Sequence, residues 1–450
     1  MTIPQFDSRL HKYNLRESRD GVSLFIGDEP PDDGLSLGLL DENGQPGPMV
    51  WFTGEGSLVT VAPPGAGKGQ AHIVPNLLLY DGPAIVLDIK GENYDLTHEW
   101  RQDNVGPVFK FAPFESDSDC YNPLDYIRTD NEDSLWDDAR LTAGMLMVTP
   151  KDAQFWDIRA KDVLTAILAL TKRSDSPELQ NMQMVLDYLY PDEDFLTAFI
   201  QEMKKSPFKP LERTGNILSR MPEKQMEGIF DSARQHVDIW QSGRVARVTE
   251  KSDWIPADFW KPPWKTLYIS IPVGMVAAYA SVIRSILGQH IQGLIESAMP
   301  SKERKAAGIP PVLFLIDEMP QLGFMEPIPY AIEVGRSYGL RLWMFAQSEG
   351  QITTTYPDGK GLMEMCYAQC FMNPEFKTAR ELSQRVGYKS AIFESGNVAQ
   401  VLPQDLMQEA WIDRILLLSR GRKPGKLIKQ MAYQSPKLRE RMGNWKTSGA

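Results

Sequence analysis

The sequence predicts an α/β protein in which a mostly parallel sheet, covered by helices, is interrupted by an inserted all-α domain. Three observations carry this expectation. Short apolar runs alternate with helical stretches in both the first and the last thirds of the chain, the order that builds βαβ units and parallel strands. Between about residues 135 and 242 those runs disappear and apolar residues recur at helical spacing. A strand-like run at Leu58–Val61 feeds a loop of small residues that opens into a helical stretch at 71–79.

Taken in order, residues 1–50 are rich in Asp, Gly and Pro and read as an N-terminal segment with edge strands at 22–26 and 48–52. A first sheet portion spans 51–134. It holds the run at 58–61, the apolar run 84–88 ending in Asp88, a helix at 95–101 and a strand at 108–111. The all-α domain, 135–242, shows helical spacing in Leu141, Met145 and Leu146, in Val163, Leu164, Ile167 and Leu168, and in Met184, Val185, Leu186 and Leu189. The sheet pattern resumes over 243–430, with strands expected at 266–271, 312–316, 340–346, 368–372 and 414–418. A long helix is expected at 276–299, followed by a charged linker at 301–305 (SKERK) that could line a pore or simply be solvated. Residues 431–450 read as a basic tail: from Arg420 onward nine basic residues face one acid, Glu440, which suits phosphate or lipid contact as well as a solvated arm.

Composition narrows the class. With 450 residues, 42% hydrophobic and 24% charged, the chain can bury a large core, and a net charge of −11 argues against coating nucleic acid with the whole surface. A local basic channel stays compatible with that charge. Cys120, Cys366 and Cys370 are too few and too scattered for a disulfide framework or a structural zinc site, and read as buried thiols in a reducing cytoplasm. Residues 1–20 do not resemble a signal peptide, and no uncharged apolar run has membrane-spanning length.

The chemistry is expected at three strand ends. In Ala62-Pro63-Pro64-Gly65-Ala66-Gly67-Lys68-Gly69-Gln70, small residues let backbone amides curl around an anion. Lys68 supplies a point charge, and the helix that follows adds its N-terminal partial charge. Pro64 through Gln70 are therefore the candidate phosphate-binding residues. Ala62 replaces the first Gly of the usual GxxxxGK[ST] pattern, and Gly69 replaces the Ser/Thr whose hydroxyl ligates Mg2+. Five apolar residues followed by Asp317-Glu318 place two acids at the edge where α/β folds bind ligands: Asp317 suits Mg2+, directly or through water, and Glu318 suits water activation. Gln347 ends the next strand and can sense the γ-phosphate or the attacking water. Arg336, between these two strands, reads equally as a solvated helix charge or as an arginine finger for a neighbouring subunit. Trp254, Trp260 and Trp264, amid prolines where the helical block ends, suit an interdomain clasp better than a base-stacking platform.

Four ordered stretches, APPGAGKGQAHIVPNLLL from Ala62, IVLDIKGEN from Ile85, VLFLIDEMPQLG from Val312 and GRSYGLRLWMFAQ from Gly335, resemble the type IV secretion coupling proteins, the TraG/TraD-type ATPases of conjugation. The weaker signature Tyr121-Asn122-Pro123-Leu124-Asp125 fits too, and the resemblance runs from about residue 50 to 430. In that family the loop often ends Gly-Lys-Gly, so Gly69 is a subfamily trait. The resemblance implies a RecA-like motor domain carrying an all-helical domain, assembled as a ring hexamer that uses ATP and Mg2+ to move substrates toward a secretion channel. It assigns Lys68 to the phosphates, Asp317 to Mg2+, Glu318 to water activation, Gln347 to γ-phosphate sensing and Arg336 to the finger in trans. Implied partners are DNA, single-stranded and bound without sequence preference, relaxase or effector proteins, and inner-membrane secretion components.

The family usually carries N-terminal transmembrane helices, and this chain shows none. Either it was truncated or it is a variant that docks on a membrane partner, and the native-looking start MTIPQFDSRL leans to the second. The expected place is the cytoplasm, peripheral to the inner membrane through partners. Two other readings remain: a recruitment platform that binds nucleotide and hydrolyses it weakly, which Gly69 favours, and a DNA-pumping ATPase outside secretion.

Overall fold

The structure, a computed structural model, describes residues 23–147, 155–390, 397–399 and 401–443. Residues 1–22 of the N-terminal segment, including the expected strand start at Val22, lie outside them, as does Lys446 of the basic stretch. The strands are β1 (Ser23–Ile26), β2 (Leu35–Glu42), β3 (Gln45–Thr53), β4 (Leu58–Val61), β5 (Ala84–Leu87), β6 (Val108–Phe111), β7 (Thr266–Ile269), β8 (Val312–Ile316), β9 (Leu340–Ala346), β10 (Ala368–Phe371), β11 (Tyr388–Ser390), β12 (Asn397–Ala399), β13 (Arg414–Ser419) and β14 (Gly425–Ile428). All but β11 and β12, which pair with each other, join one 12-stranded sheet in the order β1-β3-β2-β14-β13-β10-β4-β9-β8-β5-β7-β6.

From β10 to β6 every pairing is parallel. Strands β4, β5, β7, β8 and β9 are buried along their whole length, which is why each reads as a mostly apolar run, broken only by the buried Thr60 in β4, Thr266 in β7 and Arg341 in β9. Their registers align their ends: Val61 pairs with Ala346, Leu87 with Ile316, and Ile316 with Met344. Residues that leave these strands at the C-terminal side therefore emerge along one edge. The rest of the sheet, β1, β3, β2, β14 and β13, is antiparallel.

Between β6 and β7 the chain forms helices Glu132–Leu146, Phe155–Lys172, Met182–Leu189, Glu193–Lys205, Lys209–Leu218, Glu223–Val237 and Gly243–Val248. Local capping chemistry starts several of them: Asn131, Asn181 and Asp192 each accept hydrogen bonds from amides in the first turn. Phe199, Phe230 and Trp240 fill the interior, and the apolar core runs on without a break into the sheet's helix-covered face. Helix Ala280–Glu296 carries that continuity. Its His290 accepts a 2.8 Å hydrogen bond from Trp254 Nε1, and Trp254 stacks on Tyr121 and Phe109. Trp254 is buried, so it clamps the two parts together and offers no face to a base. Asn122 of the Tyr121–Asp125 signature works at the same junction, capping the turn Pro123–Tyr126 and donating to the Gln180 carbonyl.

Two expectations need correction. Ser301–Ala306, read as a charged linker that could line a pore or be solvated, is a short helix just before β8, at the edge of the sheet opposite the phosphate loop; Lys302, Glu303 and Lys305 are exposed as a solvated segment would be, and only its being a loop is corrected. Its Arg304 is buried and ion-paired with Glu55. The basic stretch after Arg420 is not a free arm through Met442. It supplies β14 and the helix Pro436–Arg441, Lys426 pairs with Asp41, Arg441 donates to the Leu78 carbonyl, and Lys429 is buried. Removing the residues after Gly421 would delete a strand of the sheet, so such a truncation cannot isolate a nucleic-acid contact. Among the described residues no helix is long and apolar enough to cross a membrane, and Cys120, Cys366 and Cys370 are buried and unpaired.

Candidate active site

Strand β4 ends at Val61, and the Ala62 amide continues the pairing by donating to the Ala346 carbonyl at 2.9 Å. The loop then turns through Gly65 and Gly67, whose φ of +79° and +83° lie in the left-handed region that side chains disfavour. The Ala66 amide donates to the Pro63 carbonyl, while among the described residues the amides of Gly67, Lys68 and Gly69 donate to no backbone carbonyl. These free amides form the anion cradle expected at such a loop. A π turn over Gly69–Ile73 leads into helix Val74–Leu79. That turn is fastened from below: His72 bridges Thr60 Oγ1 and the Leu37 carbonyl at 3.0 Å each, and the Asn76 amide pairs with the backbone of Ser36 on β2.

The neighbouring strand ends converge on Lys68. Its ammonium lies 3.0 Å from Asp317 Oδ1 and is hydrogen-bonded to Glu318 Oε1, and Gln347 Nε2 donates to Glu318 Oε2 at 3.1 Å. All three charged side chains keep about one-seventh of their surface exposed, 15% for Lys68, 14% for Asp317 and 13% for Glu318, so the cluster is sheltered yet reachable. Glu318 has φ +50°, a left-handed conformation that costs a non-glycine residue on the order of 1–2 kcal/mol. Its amide donates to Asp317 Oδ1, and the turn Met319–Leu322 follows at once. The tight turn aims the Glu318 carboxylate back at Lys68. Burial holds the Asp317 carboxyl above the ordinary range, outweighing the lowering effect of Lys68, with Glu318 pushing the same way as burial.

Of the residues expected from sequence, the structure brings together Pro64 to Gln70, Lys68 among them, with Asp317, Glu318 and Gln347. It does not bring Arg336 to them. Arg336 is exposed in the turn Gly335–Tyr338 before β9, so it lies at the N-terminal edge of the sheet, away from its own chain's phosphate loop. Position between two strands said nothing about which edge it would occupy.

Two residues were missed. Asp88 follows β5 beside Asp317, accepts from the Tyr94 amide at 2.8 Å and from Asn93 Nδ2 at 3.1 Å, and is pushed up to about 6, chiefly by burial. Its signal was present, since it ends an apolar run as Asp317 does. Lys429, buried behind the loop with its ammonium 2.8 Å from the Ala66 carbonyl, had no signal in the sequence.

Arranged this way, the site can hold a phosphate chain on free amides and Lys68 and can present a carboxylate and an amide to a water beyond it. Among the described residues no group of three or more His, Cys, Asp or Glu could hold a metal by itself. That donor set still fits Mg2+, which is held by one or two carboxylates together with substrate phosphates and water. Asp317, a mostly buried carboxylate incompletely balanced by Lys68, is the residue that would hold it.

Comparison with known proteins bears on the family and the fold. The family described as type IV secretory system conjugative DNA transfer matches residues 31–442. Protein VirD4 of Rhizobium radiobacter is 26% identical over 405 residues, covering 85% of this chain and 57% of that protein. Conjugal transfer protein TraG of Escherichia coli is 24% identical over 400 residues, covering 84% of this chain and 63% of that protein. The chain thus spans less than two-thirds of either relative. Among solved structures, the bacterial conjugative coupling protein TrwBdeltaN70 superposes with a TM-score of 0.67 at 16% identity, over 85% of this chain and 88% of that one. TrwB bound to the non-hydrolysable ATP analogue ADPNP gives a TM-score of 0.65 at 16% identity, over 83% of this chain and 85% of that one. A phosphate loop facing Asp317, Glu318 and Gln347 across parallel strand ends, with an all-α block inserted in the sheet and a family match over nearly the whole chain, makes this chain a member of the type IV secretory system conjugative DNA transfer family.

Proposed function

We propose that the chain is the ATP-hydrolysing motor of a type IV secretion coupling protein, which recruits a DNA–protein complex or effector protein and feeds it to the channel as a ring hexamer. The observation that carries this reading is the convergence of Lys68, Asp317, Glu318 and Gln347 at one sheet edge beside free loop amides. Lys68 and the amides of Gly67 to Gly69 bind the phosphates. Asp317 holds Mg2+, which when bound neutralises the charge building up on the transferred phosphoryl group. Glu318 orients and deprotonates the attacking water, and Gln347, already bonded to Glu318, reports the γ-phosphate to β9 and the helix that follows. TrwB's capture with ADPNP, and with ADP and Mg2+, supports ATP and Mg2+ as the cofactors. Arg336, on the far edge, would complete the site of an adjacent subunit. Single-stranded DNA, relaxase or effector proteins and inner-membrane secretion components are the proposed partners, which places the chain at the cytoplasmic side of that membrane.

Steady-state ATP hydrolysis with and without single-stranded DNA, on the wild type and Lys68→Ala, tests the reading. Hydrolysis stimulated by DNA and abolished in Lys68→Ala is expected. Gly69 favours a second reading, a platform that binds nucleotide and barely turns it over. Tight nucleotide binding with negligible hydrolysis in every condition would select that platform.

A further inference from the structure

Behind the phosphate loop, on the side away from Asp317 and Glu318, the chain buries a lysine that no motif announces. Lys429 immediately follows β14 and is 4% exposed. Its ammonium donates to three acceptors: the Ala66 carbonyl at 2.8 Å, Asn373 Oδ1 at 2.6 Å and the Ile412 carbonyl at 2.6 Å. A lysine ammonium has three N–H groups, so all are used, and each acceptor comes from a different segment. None of the three is a carboxylate. Burying an ammonium without an ion-pair partner is costly, and burial accordingly pushes Lys429 down to about 8, partly opposed by the charge of Asp413.

The surroundings are built around this side chain. Asn373 sits at φ +44°, a left-handed conformation unusual for a non-glycine residue, while its amide donates to the Trp411 carbonyl. Two residues after Lys429, Met431 lies against Gly67: a Cβ at Gly67 would come within 2.3 Å of Met431 Cε. The loop is thus gripped at adjacent residues, by a charge at Ala66 and by a thioether at Gly67.

The grip has a directional consequence. The Ala66 carbonyl and the Gly67 amide belong to one planar trans peptide, so they point in opposite directions. Drawing the carbonyl toward Lys429 turns the Gly67 N–H the opposite way, where among the described residues it meets no backbone acceptor. The Ala66 amide, in the preceding peptide, is itself committed to the Pro63 carbonyl, so Ala66 is held on both sides: by that bond through its N–H and by Lys429 through its carbonyl. We propose that Lys429, assisted by Met431, is a positioning residue for nucleotide binding: it fixes the Ala66–Gly67 peptide so that the loop amides are presented to phosphate before the nucleotide arrives.

This inference rests on the nucleotide-binding reading, and the experiment separates the two. Binding of a fluorescent ADP analogue with Mg2+ is titrated on the full chain as wild type, Lys429→Met and Met431→Ala, with the nucleotide-free thermal midpoint recorded for each. Lys429→Met keeps the aliphatic stem and removes the buried charge but strands three acceptors, so its nucleotide-free midpoint should fall, while affinity measured well below that midpoint falls tenfold or more. In steady state its KM for ATP should rise by more than its kcat falls, because contacts to the phosphates act in the ground state as well as the transition state. Met431→Ala, which leaves the ammonium in place, should lose about threefold in affinity, and it decides the matter if Lys429→Met does not fold. Wild-type binding with unchanged affinity in every folded variant overturns the positioning role alone. No binding by the wild type at millimolar analogue overturns the nucleotide reading and this inference with it.

Discussion

His290 offers a quantitative test of how the helical block is joined to the sheet. The imidazole is fully buried, its Nδ1 lies 2.7 Å from the Ile286 carbonyl, and its Nε2 faces the Trp254 indole N–H at 2.8 Å. An indole N–H can only donate, so Nε2 must be the unprotonated nitrogen and Nδ1 the donor. Adding a proton would set two N–H groups against each other among Tyr121, Trp254 and Phe259. Burial lowers the pKa from 6.5 to about 4, with the Ile286 carbonyl only partly opposing it. The folded value lies below the unfolded one, so the folded state gives up stability as its histidine resists protonation. The contribution is complete above pH 6.5 and is lost as pH falls toward 4. The interval from 6.5 to about 4 amounts to about 3 kcal/mol in all, of which about 2 kcal/mol is gone by pH 5. His290→Gln supplies an acceptor for Trp254 and a donor for Ile286 without a titratable group. Denaturant unfolding of both proteins at pH 7 and pH 5, followed by tryptophan fluorescence, isolates the effect, because His72 and every carboxylate are common to the two. The wild type should lose about 2 kcal/mol more than His290→Gln over that range. Equal losses would refute the reasoning, and a larger loss in the variant would reverse its sign.

Three further outcomes are expected. Among the described residues a Cβ at Gly69 would meet no atom within 4 Å, so Gly69→Ser should fold and, by supplying a hydroxyl beside Lys68, lower the Mg2+ concentration for half-maximal hydrolysis by roughly tenfold; a Mg2+ titration checks this. Arg336→Ala should bind ATP and lose hydrolysis by roughly 10³-fold, since an arginine finger acts on the transition state. Mixing Arg336→Ala with Lys68→Ala under conditions that exchange subunits should recover activity, because one interface in the mixture pairs an intact loop with an intact arginine; no recovery would confine Arg336 to its own subunit.

Much of the sheet and the heart of the site could be read before folding because both rest on one physical regularity. A strand buried on both faces is mostly apolar, so β4, β8 and β9 stand out as runs even though Thr60 and Arg341 are buried within two of them. The residues that end such runs, Lys68's loop, Asp317-Glu318 and Gln347, fall on one edge by parallel register. Strands β2 and β14, in the antiparallel extension, escaped notice because neither presents an unbroken apolar run. There Gly38, at φ +135°, breaks the alternation of β2 where the Ile428 carbonyl approaches, and β14 is four residues long with a lysine among them. Arg304 and Lys429 were invisible for a different reason. A charged residue in a charged stretch looks solvated, and only the tertiary placement of Glu55 or of the Ala66 carbonyl shows that it is buried. Arg336 exposes the opposite limit, since order along the chain does not tell one edge of a sheet from the other.

The central claim is that Glu318, held in its strained turn between Lys68 and Gln347, activates water for hydrolysis and does not bind the nucleotide. Single-turnover hydrolysis of ATP by Glu318→Gln, with ATP affinity measured on the same protein, tests it directly. Glu318→Gln should retain wild-type affinity within severalfold and slow the chemical step by a factor on the order of 100 or more. Hydrolysis at the wild-type rate, or loss of ATP binding in a folded variant, would contradict it.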